Sequence, residues 1–207
     1  FDVVKKIKYL IRKRYNLKKI KVGHAGTLDP LASGLLIICT GKFTKKISEI
    51  QDKRKIYTGI ITLGGTTPSF DLETEIEKNY KTDHISEDLI KKTTTKFLGE
   101  INQVPPIFSA LKKDGERLYE KARRGEKIKI NSRKVTIYKF ESKLLHKVNV
   151  HFKIECSKGT YIRSIANDLG AALNCGGYLS KLCRTDIGEF SLSNAMSINS
   201  FEDHINT

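Results

Sequence analysis

The chain has 207 residues and carries 38 lysines and arginines against 23 aspartates and glutamates, a formal net charge of +15. A chain this long buries enough surface to fold without disulfides or metals, and none of its apolar runs approaches the roughly 18–20 residues of a membrane-spanning helix. Membrane channels, collagens and small disulfide scaffolds are excluded, and the surplus of cations favours a polyanionic partner, nucleic acid first and an anionic membrane surface second.

Val3, Val4, Ile7, Leu10 and Ile11 recur at helical spacing, which predicts an amphipathic helix over 3–14. Residues 5–21 hold nine basic residues and no acid, the pattern of a phosphate-facing surface. A glycine-rich loop, 23–34, follows and carries Asp29 before Pro30; an apolar strand over Leu35–Cys39 and a helix across Lys42–Gln51 come next. Tyr57–Leu63 reads as a strand ended by Gly64-Gly65. The stretch from Thr66 to about Asp88, with Asp71, Glu73, Glu75 and Glu77, reads as a polar loop facing away from any phosphate. A helix over Glu87–Leu98 is closed by Gly99.

After Pro105-Pro106, residues 109–134 hold ten basic and four acidic side chains, punctuated by Gly115 and Gly125. This predicts a basic, movable excursion with a short helix at Glu116–Arg124. Val135–Phe140 and Val148–Cys156 are strands, the second alternating apolar and polar. Ile162, Ile165, Ala166, Leu169 and Leu173 mark a helix ending at Asn174, and a last strand spans about Thr185–Phe190. Strands outnumber helices without regular βαβ alternation. The prediction is an α+β fold, with a mixed or antiparallel sheet and helices on its faces.

Cys39, Cys156, Cys175 and Cys183 show no metal-ligand spacing, so neither a zinc site nor a disulfide framework is expected, and free thiols fit a reducing compartment. Three residues could carry chemistry. Asp29 reads either as an Asx-turn carboxylate or as a lone catalytic acid at the lip of an apolar pocket. Such an acid needs a cation, and Arg163 in Lys158-Gly-Thr-Tyr-Ile-Arg-Ser164 is a candidate, though an exposed arginine at a helix start fits as well. Tyr57 is either an ordinary sheet aromatic or a stacking surface for a base.

Gly23-His-Ala-Gly-Thr-Leu-Asp-Pro-Leu-Ala-Ser-Gly-Leu-Leu36 resembles the catalytic-loop signature of the TruB family of tRNA pseudouridine synthases. Lys55-Ile-Tyr57, the long stretch from Gln103 to Arg123, Cys156 to Arg163, and Leu182-Cys-Arg184 are similar to the later motifs of that family, in the same order. The resemblance implies a pseudouridine synthase fold and conversion of the T-loop uridine of tRNA (position 55) to pseudouridine. The N-glycosidic bond breaks, the uracil turns, and the base rejoins through carbon 5, with no cofactor and no metal. It implies that Asp29 is the essential carboxylate, by attack on the sugar, by attack on the base or by removal of a ribose proton. Arg163 would be its ion-pair partner and Tyr57 would stack on the uracil. Tyr161 and Leu182 would complete the pocket, and His24 would fill the space left when the target flips out.

Residues 105–134 would be a thumb that closes over the T stem-loop. The same resemblance implies one catalytic domain over 1–207, starting after the family's opening strand and Lys-Pro turn and showing no match to a C-terminal PUA domain. It also implies a monomer, with tRNA as partner and no membrane, in a cytoplasm or alternatively a mitochondrial or plastid-type matrix. A guide-RNA-dependent synthase of a box H/ACA particle and a non-catalytic RNA-binding module are the competing readings.

Overall fold

The computed structural model describes residues 2–126 and 128–206. In chain order the elements are α1 (Asp2–Arg14), β1 (Val22–His24), β2 (Ser33–Gly34), β3 (Ile38–Thr40), α2 (Ile47–Asp52) and β4 (Lys55–Leu63). The small pair β5 (Gly65–Thr66) and β6 (Lys78–Asn79) precedes α3 (Glu87–Thr94) and β7 (Gly99–Gln103). Then come the pair β8 (Lys112–Lys113) and β9 (Glu116–Arg117), α4 (Leu118–Arg123), β10 (Arg133–Leu145) and β11 (Asn149–Cys156). The chain ends with α5 (Ile162–Ala172), β12 (Gly177–Ile187), β13 (Phe190–Ser191) and α6 (Ile198–Asn206).

The central sheet runs β13-β12-β4-β11-β10-β7, antiparallel throughout, and β2 joins β12 in parallel. This is the expected α+β arrangement with a mixed, mostly antiparallel sheet. Alternation on β11 places Val150, Phe152, Ile154 and Cys156 inward, all buried. The apolar stripe of α5 (Ile162, Ile165, Ala166 and Leu169, with Leu173 just beyond its end) lies against that face and is buried. Gly170 permits this contact, because a Cβ there would stand 2.1 Å from the backbone nitrogen of Gly177 on β12.

Several boundaries differ from the sequence reading. The expected strand Leu35–Cys39 forms only at Ile38–Thr40; the residues before it hand their backbone groups elsewhere, with Leu35 donating to the Arg184 carbonyl at 2.7 Å and Ile37 accepting from Ala25 at 2.9 Å. The helix predicted over Lys42–Gln51 opens as a 3₁₀ segment, Gly41–Lys46, before α2. The helix predicted to Leu98 turns 3₁₀ at Thr95–Phe97 after α3. In the basic excursion, Glu116 and Arg117 pair with β8 as β9, so the helix starts only at Leu118. The last strand, expected from Thr185, starts eight residues earlier at Gly177; its inward positions include arginine, which masks the apolar alternation.

Candidate active site

Two chain-distant motifs meet at one lip of the sheet. The loop after β1 carries Asp29, whose carbonyl closes a turn by accepting from the Ala32 N–H at 3.0 Å. Its side chain is therefore free to point away, and it does so. Arg163, in the first turn of α5, donates from Nε to Asp29 Oδ2 and from Nη2 to Asp29 Oδ1, both at 2.9 Å. This bidentate pair joins residues 134 positions apart. The arginine is 2% exposed and the aspartate 32%, so the carboxylate faces solvent on one side and a fixed cation on the other.

A buried guanidinium is stable only if its donors are satisfied. Arg163 Nη1 donates to the Ser69 carbonyl at 3.1 Å and Nη2 to the Phe108 carbonyl at 3.0 Å. A second carboxylate, Asp71 Oδ2, lies 3.5 Å from Nε and is itself buried. The loop that delivers Asp71 is knotted on itself: Asp71 Oδ1 accepts from the Glu73 N–H at 2.9 Å, and the Thr67 hydroxyl donates to the Asp71 carbonyl at 2.7 Å. The stretch 66–88, read as a polar loop on the side away from any phosphate, contains the β5–β6 pairing and sends one acid to Arg163. Glu75 and Glu77 do lie exposed on it, whereas Asp71 turns inward to share Arg163.

The Asp29 carboxylate opens on a cleft of about 690 Å³, within the range of small-ligand pockets. Tyr57 and Leu182 rise from neighbouring strands β4 and β12, and Tyr161 caps α5 on the facing side. Burial pushes the Tyr57 phenol above its ordinary value against the opposing pull of Arg184, so it stays neutral at pH 7. The Tyr161 peptide is clasped by Gln103, which accepts from its N–H at 2.8 Å and donates to its carbonyl at 3.0 Å. Lys55, also in the cleft wall, donates to the carbonyls of Gln51 and Lys53 and so ties the end of α2 to β4. Burial lowers its pKa.

Arg184, on β12, is buried and fixes the loop that carries Asp29 by its backbone, donating to the carbonyls of Leu35 at 2.9 Å and Gly26 at 3.0 Å. Asp29, Tyr57, Tyr161 and Leu182 thus share the cleft, and Arg163 lies beneath it. His24 sits on β1 opposite Ile38, outside the residues that line the cleft, and its Nδ1 is buried without a partner. Sequence reasoning missed three supports, Asp71, Gln103 and Arg184. Arg184 left a signal, a lone cation at an inward position of a strand; Asp71 was hidden among its surface-facing acidic neighbours. Among the described residues, no group of three or more His, Cys, Asp or Glu is placed to hold a metal ion.

The chain that places this clamped acid at a cleft mouth is matched along most of its length by pseudouridine-forming enzymes, which are isomerases. The family model described as "TruB family pseudouridylate synthase (N terminal domain)" matches residues 12–162, and the chain belongs to the TruB family. Among its relatives are proteins named tRNA pseudouridine synthase B. That of Flavobacterium johnsoniae is 57% identical over 99% of this chain and 90% of its own length, and that of Phocaeicola vulgatus 48% identical over 98% and 86%. Among solved structures, a Cbf5-Nop10-Gar1 complex superposes with a TM-score of 0.68 at 28% identity over 95% of this chain. An H/ACA RNP bound to a substrate RNA containing 2′-deoxyuridine does so with a TM-score of 0.67 at 26% identity over 96%. This chain spans about half of each of those two chains, 49% and 48%.

Proposed function

We propose that this chain is a stand-alone tRNA pseudouridine synthase that isomerises the T-loop uridine at position 55, with Asp29 as the essential carboxylate. The observation that carries this reading is the two-point Asp29–Arg163 contact, 2.9 Å at each arm, which holds one acid in one orientation at the cleft mouth. The bond from ribose carbon 1′ to N1 breaks, the uracil turns within the cleft, and carbon 5 bonds to carbon 1′. The proton leaves carbon 5 and N1 gains one, so the product is an isomer. Asp29 acts at the reacting nucleotide, and Arg163 fixes its direction. The neutral Tyr57 ring stacks on the uracil beside the departing proton, Tyr161 and Leu182 wall the base, and His24 fills the gap left in the RNA loop.

Residues 105–134 serve as the thumb of this single catalytic domain, a role supported by the glycines at 115 and 125 and the surplus of cations. In this reading the protein acts as a monomer. No helix of the described residues is long and apolar enough to cross a membrane, and the free cysteines suit a reducing cytoplasm. A guide-dependent enzyme is favoured only by the structural neighbours at 26–28% identity; the relatives at 48–57% are named for tRNA.

Incubation with an unmodified T-stem-loop RNA and mapping of pseudouridine tests the proposal. Asp29→Asn is expected to abolish the product while binding stays within a few-fold. Product at any other position, or substantial turnover by Asp29→Asn, overturns it.

A further inference from the structure

Five cations line the cleft, and four of them are engaged. Lys55 donates to two carbonyls, Lys134 meets Glu100 at 2.8 Å, Lys158 meets Asp52 at 2.6 Å, and Arg184 holds the catalytic loop. The side chain of the fifth, Arg133, has neither a hydrogen bond nor an ion pair among the described residues, and its Nε is buried without a partner. It heads β10 opposite Gln103, the residue that clasps the Tyr161 peptide. Its guanidinium lies over the Tyr161 ring, 4.6 Å from the centroid. A Cβ at Gly159 would stand 3.4 Å from the guanidinium carbon, so the group packs close to that backbone as well as to the ring while its donors stay open.

A half-buried guanidinium with open donors has lost hydration and gained no counter-charge in return, a state relieved by binding an anion. Its planar fork matches two oxygens of one phosphate, which a carboxamide or a hydroxyl does not. A ring stacked beneath the fork keeps that plane in place. We propose that Arg133 binds a phosphodiester of the RNA strand, next to the nucleotide whose base enters the cleft, and so sets that nucleotide's depth against Tyr161. The ligand follows from the functional reading above; the open cation follows from the geometry alone.

The test is a binding cycle with T-stem-loop RNAs, each carrying one uncharged methylphosphonate at a phosphate within three nucleotides of the target uridine. With the parent protein, one such replacement weakens binding about tenfold. Arg133→Ala weakens binding of the unaltered RNA by a similar factor, and that same methylphosphonate then adds no further loss. Arg133→Ala binding as tightly as the parent, or every methylphosphonate costing the same in both proteins, overturns the proposal. If Arg133→Ala does not fold, Arg133→Gln, which removes the charge and keeps much of the side chain, decides by the same criterion: a cost of that methylphosphonate unchanged from the parent overturns it. Turnover by the parent is read separately. A non-additive cycle without pseudouridine refutes the function and leaves the phosphate site; pseudouridine with an additive cycle does the reverse.

Discussion

Arg163 answers to two carboxylates at once. Its bidentate grip on Asp29 uses Nε and Nη2, while Asp71 stands 3.5 Å from the same Nε and two carbonyls take the remaining directions. A lysine could supply the charge but only one of those directions, so Arg163→Lys should leave Asp29 free to swing. A displacement of about 1 Å at a reacting group costs on the order of 100-fold in rate. Arg163→Lys is therefore expected to lower kcat by about that factor while the Kd for T-stem-loop RNA moves only a few-fold; an unchanged kcat would show that the fork is not what aims Asp29. Read from the residues alone, Asp29 fits a turn and Arg163 fits a solvent-facing helix start. The turn is present, in the backbone, and coexists with the side chain's other engagement. The arginine is buried because a partner 134 residues away receives it, and spacing along one chain carries no trace of that. Only the resemblance of the two motifs to a known pair made the contact legible.

At the level of elements, one unusual junction braces the loop that carries Asp29. β2 lies parallel beside β12, with Gly34 opposite Arg184, and Gly34 has φ +106°. A Cβ at Gly34 would stand 2.3 Å from the Arg184 carbonyl oxygen. Gly34→Ala is thus expected to cost about 1–3 kcal/mol from backbone conformation alone, and to reduce turnover by pushing apart the loop and the strand that Arg184 ties together. Thermal unfolding and product mapping on the same sample check both; an alanine variant with parental stability would mean the junction yields easily. At the far edge, Glu87 joins α3 to β10: its Oε2 accepts the Leu144 N–H at 2.5 Å and its Oε1 meets Lys91 at 3.3 Å. The Leu144 hydrogen bond, more than any other contact, holds the Glu87 carboxyl below its usual value. A carboxyl depressed in the fold contributes stability above its unfolded pKa, and that contribution fades as pH falls through the folded value. Glu87→Gln should therefore cost about 0.5–1 kcal/mol at pH 7, a modest figure because water screens the pair, and the difference from the parent should shrink between pH 7 and an acid pH at which the Glu87 carboxyl is protonated in the fold. Urea unfolding at the two pH values measures it, and a difference that persists in acid would contradict it. The periodicity that predicted β11 and α5 held because each buries one regular face; β12 escaped because Arg184 occupies an inward position that the pattern reserves for apolar side chains.

Across the whole molecule, the charge of +15 is not evenly available to a partner. In the segment 105–134, Arg124 meets both Glu116 and Glu126, Lys121 lies 3.7 Å from Asp114, and Arg123 reaches Glu73, outside the segment, at 3.4 Å. Those cations are already paired within the fold, so the local surplus overstates what RNA can draw on. Lys18, Lys19 and Lys21, between α1 and β1, are exposed, and their side chains have no hydrogen bond or ion pair among the described residues. They precede the catalytic loop by only a few residues, on the same continuous stretch of chain. Each phosphate neutralised by such a side chain adds about 0.7–0.9 to the slope of log K against log salt. Replacing all three with glutamine is therefore expected to flatten that slope by about 2 and to weaken binding steeply below 0.1 M salt. Arg124→Gln, by contrast, should leave the slope within about half a contact and instead lower the stability of the thumb. Salt titrations of T-stem-loop RNA binding by the two variants measure the contrast. A larger slope change in Arg124→Gln than in the triple variant would place the RNA track over the thumb instead of along the segment that leads into the catalytic loop.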